Sequence, residues 1–279
     1  MDEAAQAPSA ASPYATGEGG TRLESRLGTV VLVRLLAAQP VFELDERAPE
    51  RVMFQQAPDA TVDDLICPSR AADDATAPLD IAVRRAPSLV RSHTKAGDLV
   101  GALVKAALDA ERSVEPLVER RLAVAVSGQQ QQAQQVAELA VVACGQSNAS
   151  EFVELVRTQG KFRTRARFSH LIEMVADALR GKQDDAGTPE DRCRRLPRRL
   201  WIMHADLETG HEDDWTRLVG DPQPVVRDHT QEQARALRDR LEQLSGELAR
   251  NAGALDDLAL RRRLHWCPVL YPSDSVRFA

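Results

Sequence analysis

The residues of this sequence best placed to do chemistry are acids beside short apolar runs. Asp63 and Asp64 stand directly before Leu65, Ile66 and Cys67, and Asp80 lies within L-D-I-A-V-R-R at 79–85. On a strand, successive side chains point to opposite faces, so Leu79, Ile81 and Val83 turn one way while Asp80, Ala82 and Arg84 turn the other. Carboxylate oxygens on a rigid sheet are what Mg²⁺ requires to grip a phosphate and to acidify an attacking water. One acid alone makes a poor site, so a neighbouring element must bring a second. The bland alternative is that Asp63 and Asp64 are turn residues and that Arg84 and Arg85 form a wet strand edge.

A second chemistry is suggested by basic runs. Residues 157–167 hold Arg157, Lys161, Arg163, Arg165 and Arg167 with no acid between them, and Phe162 and Phe168 are interleaved. Residues 192–199 hold five arginines ahead of Trp201, and Arg261, Arg262 and Arg263 form a third run. Such cations can track a phosphate backbone while aromatics stack on bases; the alternative is a solvated helix face paired with acids elsewhere. His204, Asp206, Glu208 and His211 look like a ligand series, but their spacing fits no strong metal motif. His93 reads as an ordinary loop histidine.

The elements that must position these residues follow from periodicity. Leu23, Leu27, Val30, Val31 and Leu35 recur at helical spacing, predicting an amphipathic helix over 21–38 that Pro40 ends. Extended segments are predicted within 41–56 (Val52 and Phe54 favoured), at 62–67 and at 79–85, each bounded by turn residues. A helix follows over 94–110, and then Leu122 to Val126 reads as a strand buried on both faces, best placed parallel to an earlier one. From 129 the pattern is helical: a glutamine-rich helix to Ala143, helices at 152–157 and 163–179, a linker at 181–189, a helix interrupted at Pro197, and Leu200 to Leu207 as helix or short strand. Thr230 opens a T-x-x-Q capping box before Leu237, Leu241, Leu244 and Leu248, and a last helix covers 255–264. The fold class is therefore α/β with an α-β-β-β-α-β core, followed by a mainly α-helical domain. The expected divisions are a disordered leader at 1–20, the α/β domain at 21–127, the helical domain at 128–266 and a tail at 267–279.

Composition narrows the class. The formal charge of −6 excludes a globally cationic binder but hides local patches. Cys67, Cys144, Cys193 and Cys267 are scattered without C-x-x-C spacing, which disfavours a zinc site or a disulfide framework. Asp2 and Glu3 occupy the place of a signal peptide's positive region, and no apolar run is long enough to span a membrane. A cytoplasmic protein is expected. Of 36 basic residues only Lys95, Lys105, Lys161 and Lys182 are lysines, an arginine bias typical of a GC-rich bacterial genome.

Over roughly residues 21–126 the sequence resembles the PD-(D/E)XK nuclease superfamily. In that superfamily an acid opens the second core strand, an acid-x-Lys lies on the third, and a glutamate often comes from the first helix. The resemblance implies catalytic roles for Glu24, Asp64, Asp80 and Arg84, with Asp64 and Asp80 as ligands of Mg²⁺. The motif is degenerate: with Arg84 in the lysine position, the acid two residues earlier has become Ala82, and Asp80 lies a further two residues back, about 7 Å along the strand. The stretch from Pro78 through Ala107, then R-L-A-V-A-V-S-G, F-V-E-L-V-R-T-Q-G-K-F and a later D-D-W, is similar to long actinobacterial proteins that join a nuclease-like module to helices and a P-loop NTPase. Those architectures are associated with antiphage defence. No G-x-x-x-x-G-K-[ST] occurs here, so the NTPase is expected to be absent here or encoded elsewhere. The expected function is a nuclease-related defence module that binds DNA through Arg85, Arg91, Lys161, Arg163, Arg165 and Arg167. The alternative is a catalytically inactive adaptor that assembles with an NTPase through its helices.

Overall fold

A computed structural model describes residues 18–41, 48–55, 61, 62, 64–70, 76–84, 89–92, 94–112, 121–126, 130–180, 187–204, 207, 225, 226 and 230–265. Asp63, Arg85, His93, Asp206, Glu208, His211, Cys267, the D-D-W stretch, most of the expected leader and the tail lie outside them.

The first half runs α1 (Glu18–Ala37), β1 (Arg51–Phe54), β2 (Leu65–Arg70), β3 (Thr76–Arg84), α2 (Thr94–Arg112) and β4 (Arg121–Val126). The second half adds α3 (Gln130–Cys144), α4 (Ala149–Gln159), α5 (Phe162–Leu179), α6 (Pro189–Arg199), β5 (Leu200–His204), α7 (Gln231–Arg250), β6 (Ala254–Asp256) and α8 (Asp257–Arg263). The sheet is mixed, with six strands in the order β5-β4-β3-β2-β1-β6. β1, β2 and β3 are antiparallel to one another in turn, β6 is antiparallel to β1, and β3, β4 and β5 are parallel.

Each face of the sheet carries its own apolar layer. Leu65, Ile81, Ala123 and Phe54 pack with Leu27, Val31, Leu241 and Leu244 from α1 and α7. Ala82, Leu122 and Val124 pack with Leu99, Leu103, Leu139, Phe168 and Leu196 from α2, α3, α5 and α6. β4 is thus buried on both faces, as its unbroken apolar run predicts, and it lies parallel to β3 after the intervening α2. Close approach of α1 to α7 depends on Gly28, where a Cβ would overlap Ser245 Oγ of α7 and come 2.6 Å from Phe54 Cε1 of β1.

Several elements differ from the periodicity reading. α1 starts at Glu18, inside the expected leader. Leu200 to His204 is a strand, and a second strand precedes the last helix, so the largely helical second half supplies both outer strands of the sheet. α6 continues past Pro197 to Arg199, with Thr188 as N-cap accepting from the Asp191 N–H. Near a helix end a proline removes a donor without ending the last turn. Thr230 caps α7 by accepting from the Gln233 N–H, in keeping with the T-x-x-Q pattern.

Candidate functional site

The site begins where β2 starts beside the end of β3. Extending the β2–β3 register one step past Leu65↔Ile81 sets Asp64 opposite Ala82, so Asp64 shares a face with Asp80, Ala82 and Arg84. Arg84 Nη1 donates to Asp64 Oδ2 at 2.5 Å, and the Val83 N–H donates to the same oxygen at 2.7 Å. The Asp64 side chain is 6% exposed and that of Arg84 is 27%. Arg84 Nη1 also donates to the Val83 carbonyl at 2.7 Å, which fixes the guanidinium over the strand end. Charge-assisted bonds of this kind are the strong ones, and here one carboxylate oxygen receives two donors.

Asp80 lies two residues along the same face, 1% exposed, in register with Ile66 on β2 and Leu122 on β4. Burial pushes the neighbouring Cys67 thiol well above its usual range, and the charge of Asp80 adds to that shift. Cys67 is therefore a neutral, inert thiol. Glu24 is buried on α1, and Gln55 Nε2 donates to its Oε1. The Gln55 N–H in turn donates to the Asp64 carbonyl at 3.2 Å. Gln55 has φ of +49°, a left-handed conformation that ends β1 and breaks its side-chain alternation. The structure therefore joins Asp64 to Arg84 directly, whereas Glu24, on the helix covering the opposite sheet face, is linked through Gln55 only to the Asp64 main-chain carbonyl, and Asp80 remains further along the strand.

The residues as placed do not fit the Mg²⁺ that the superfamily resemblance implies. The guanidinium already supplies the positive charge on Asp64 Oδ2, and position 82 offers only a methyl group. Among the described residues no three His, Cys, Asp or Glu side chains converge as a ligand group. A dication brought to Asp64 would meet Arg84 at the same oxygen, and like charges at that range repel.

The basic residues separate by environment. Lys161 Nζ pairs with Glu138 at 2.7 Å, and this bond, with one from Thr164, holds the Glu138 carboxyl below its ordinary range. Arg163 and Arg165 are exposed, and Arg165 Nη1 donates to the Arg157 carbonyl at 3.3 Å. Arg167 is drawn inward: its Nε donates to Gln135 Oε1 at 3.0 Å and its Nη1 to the Leu89 carbonyl, and burial lowers its pKa. Arg91 sits between Glu173 and Asp177, 3.3 Å from each. Glu111 near the end of α2 receives Arg192 of α6 at 2.5 Å, with Arg195 at 3.8 Å and Arg199 at 4.0 Å. Arg261 is buried and donates to the Leu36 carbonyl at 2.9 Å. Of the two aromatics in the 157–167 neighbourhood, Phe168 is in the core, edge-on to Phe152 at 5.5 Å, whereas Phe162 is 78% exposed.

Two participants escape sequence reasoning. Gln55 bridges Glu24 to Asp64, and no spacing marks it, because a left-handed glutamine at a strand end leaves no compositional trace. The Val83 N–H is a backbone group of an apolar residue and carries no signal at all.

No protein-family model matches the chain, and no curated protein does. Among solved structures it is similar to an Acinetobacter baumannii Cap4 SAVED/CARF-domain containing receptor with the cyclic trinucleotide 3'3'3'-cAAA, at 10% identity and a TM-score of 0.48. That match covers 90% of this chain and 48% of the other. The Moraxella osloensis Cap4 SAVED/CARF-domain containing receptor matches at 8% identity and a TM-score of 0.49, with the same coverages of 90% and 48%. The chain therefore spans about half the length of these structures. Likeness at this level assigns neither an activity nor a ligand to this chain. Among the described residues no helix is long and apolar enough to cross a membrane.

Proposed function

We propose that this chain is a nuclease-related module of a bacterial defence system that no longer cleaves phosphodiesters and instead assembles with a partner NTPase. The observation that carries the loss of cleavage is the Arg84–Asp64 ion pair, which puts a fixed guanidinium where a hydrolytic site needs a metal. Ala82 in the acid position acts in the same direction. The nuclease relationship draws support from the α1-β1-β2-β3-α2-β4 order, in which an antiparallel β1–β3 meander is followed by a parallel β4. The defence role and the NTPase partner rest on the sequence resemblance.

A second reading, a Mg²⁺-dependent endonuclease, is favoured by one observation: Asp64 and Asp80 lie on one face of the sheet. In that reading both would hold the ion and Glu24 would assist. A plasmid-nicking assay with Mg²⁺ or Mn²⁺ separates the two. The inactive reading expects wild type and Asp64→Ala to leave supercoiled plasmid equally intact. Metal-dependent nicking by wild type that disappears in Asp64→Ala overturns it. Co-purification with an NTPase encoded beside the gene tests the partner, and failure of the co-expressed pair to associate removes the adaptor role.

A further inference from the structure

We infer that the elbow between α4 and α5 is a binding surface for single-stranded nucleic acid, with Phe162 as a base-stacking platform among Arg157, Lys161, Arg163 and Arg165. The elbow is built from residues of α4 and α5 and uses none of Asp64, Asp80 and Arg84, so its role is independent of that site's fate. Phe162 is the most exposed large apolar side chain among the described residues. It is the first residue of α5, and the cations that surround it in sequence have exposed side chains. The first turn of α5 contains no acid, and Lys161 provides no side-chain cap. Glu138, the carboxylate bonded into the elbow, is engaged by Lys161 and Thr164, and against the exposed Glu154 one turn before Arg157 the three arginines Arg157, Arg163 and Arg165 still leave a local positive excess on a chain of formal charge −6.

The elbow is built rather than loose. The Gly160 N–H donates to the Val156 carbonyl at 3.1 Å and the Arg165 N–H to the Lys161 carbonyl at 2.9 Å. A Cβ at Gly160 would overlap the Val156 carbonyl oxygen, so glycine permits the tight turn. Arg165 lies across that turn, bonded to the Arg157 carbonyl. An exposed phenyl face with exposed cations close to it along the chain matches an unstacked base flanked by phosphates. A duplex offers no free base face to such a ring, so the recognised form is single-stranded. A protein partner would call for a broader apolar centre than one phenyl ring beside exposed cations.

Fluorescence anisotropy of the full chain with labelled oligothymidylate, oligouridylate and a DNA duplex of equal length tests this. Wild type is expected to bind at least one of the single strands more tightly than the duplex, with log affinity falling linearly with log salt. Phe162→Ala weakens that single-strand binding by about five-fold or more, the loss of one stacked base, and Phe162→Trp restores it. Arg163→Ala reduces the magnitude of the salt slope by about 0.7. Circular dichroism melts of all three variants match wild type, because both side chains are exposed. The inference is overturned if wild type binds neither single strand, if Phe162→Ala binds as wild type does, or if duplex and single strand respond alike to Phe162→Ala. The last outcome would mark a plain electrostatic surface.

Discussion

Replacing Arg84 by methionine removes the charge that balances Asp64, and the consequence can be sized from the geometry. The Asp64 side chain is 6% exposed, Arg84 is 27% exposed, and their N···O separation is 2.5 Å. At an effective dielectric of about 20, two unit charges about 4 Å apart attract by about 4 kcal/mol. Removing one partner of a fully buried pair costs about 3–5 kcal/mol. Arg84 opens to water on one side, which screens the pair, and Asp64 keeps the Val83 N–H, so the cost of Arg84→Met falls to about 2–3 kcal/mol. Asp64→Asn leaves the arginine instead, and a guanidinium at the surface can turn toward solvent, so that change costs about 1–2 kcal/mol. Equilibrium urea denaturation at neutral pH measures both. The expected pattern is asymmetric, with Arg84→Met the more damaging and the Asp64→Asn/Arg84→Met double variant less destabilised than the two singles added together. Mg²⁺ leaves the wild-type midpoint where it was. An Arg84→Met variant within about 0.5 kcal/mol of wild type, or strict additivity in the cycle, would refute the idea that this guanidinium stands in for a metal.

Gly28→Ala pushes a methyl group into Ser245 Oγ and Phe54 at the α1–α7 crossing, and overpacking of this kind costs about 1–3 kcal/mol or more, read as a lower Tm. An unchanged Tm would mean that the two helices are not packed so closely. Burial raises the thiols of Cys67 and Cys193, with Asp80 and Glu190 adding to the respective shifts. Below the free-thiol pKa of about 8.5 both states are neutral and stability is intact; above it only the unfolded thiols ionise, so stability falls by up to about 1.4 kcal/mol per pH unit for each thiol. Denaturation curves between about pH 8.5 and 10 should show that slope, reduced in Cys67→Ala, and a flat profile would contradict the burial.

Much of the architecture is legible from periodicity because it is local. Leu23, Leu27 and Val31 specify α1, and the uninterrupted run at Leu122 to Ala125 specifies a strand covered on both faces. The alternation in L-D-I-A-V-R by itself places Asp80, Ala82 and Arg84 on one face, and the register agrees. Edges are different. Leu200 to His204 suits a helix or a strand equally, and it is a strand because β4 offers it an open edge of backbone donors and acceptors. The three residues of β6 are too few to carry a period of their own, and β1 organises them.

The same division runs through the candidate site. Residue types and spacing by themselves establish which acids and arginines exist, which strand faces they occupy, and that Ala82 interrupts the expected motif. They do not determine pairing. That Arg84 reaches Asp64, that Gln55 bridges Glu24 to Asp64, that Arg167 turns inward to Leu89 and that Phe168 is buried while Phe162 is exposed are all settled by elements distant in sequence. The physical reason is that side-chain ion pairs and burial depend on what the tertiary fold brings within a few ångströms, whereas helical and strand periodicity depends only on near neighbours along the chain.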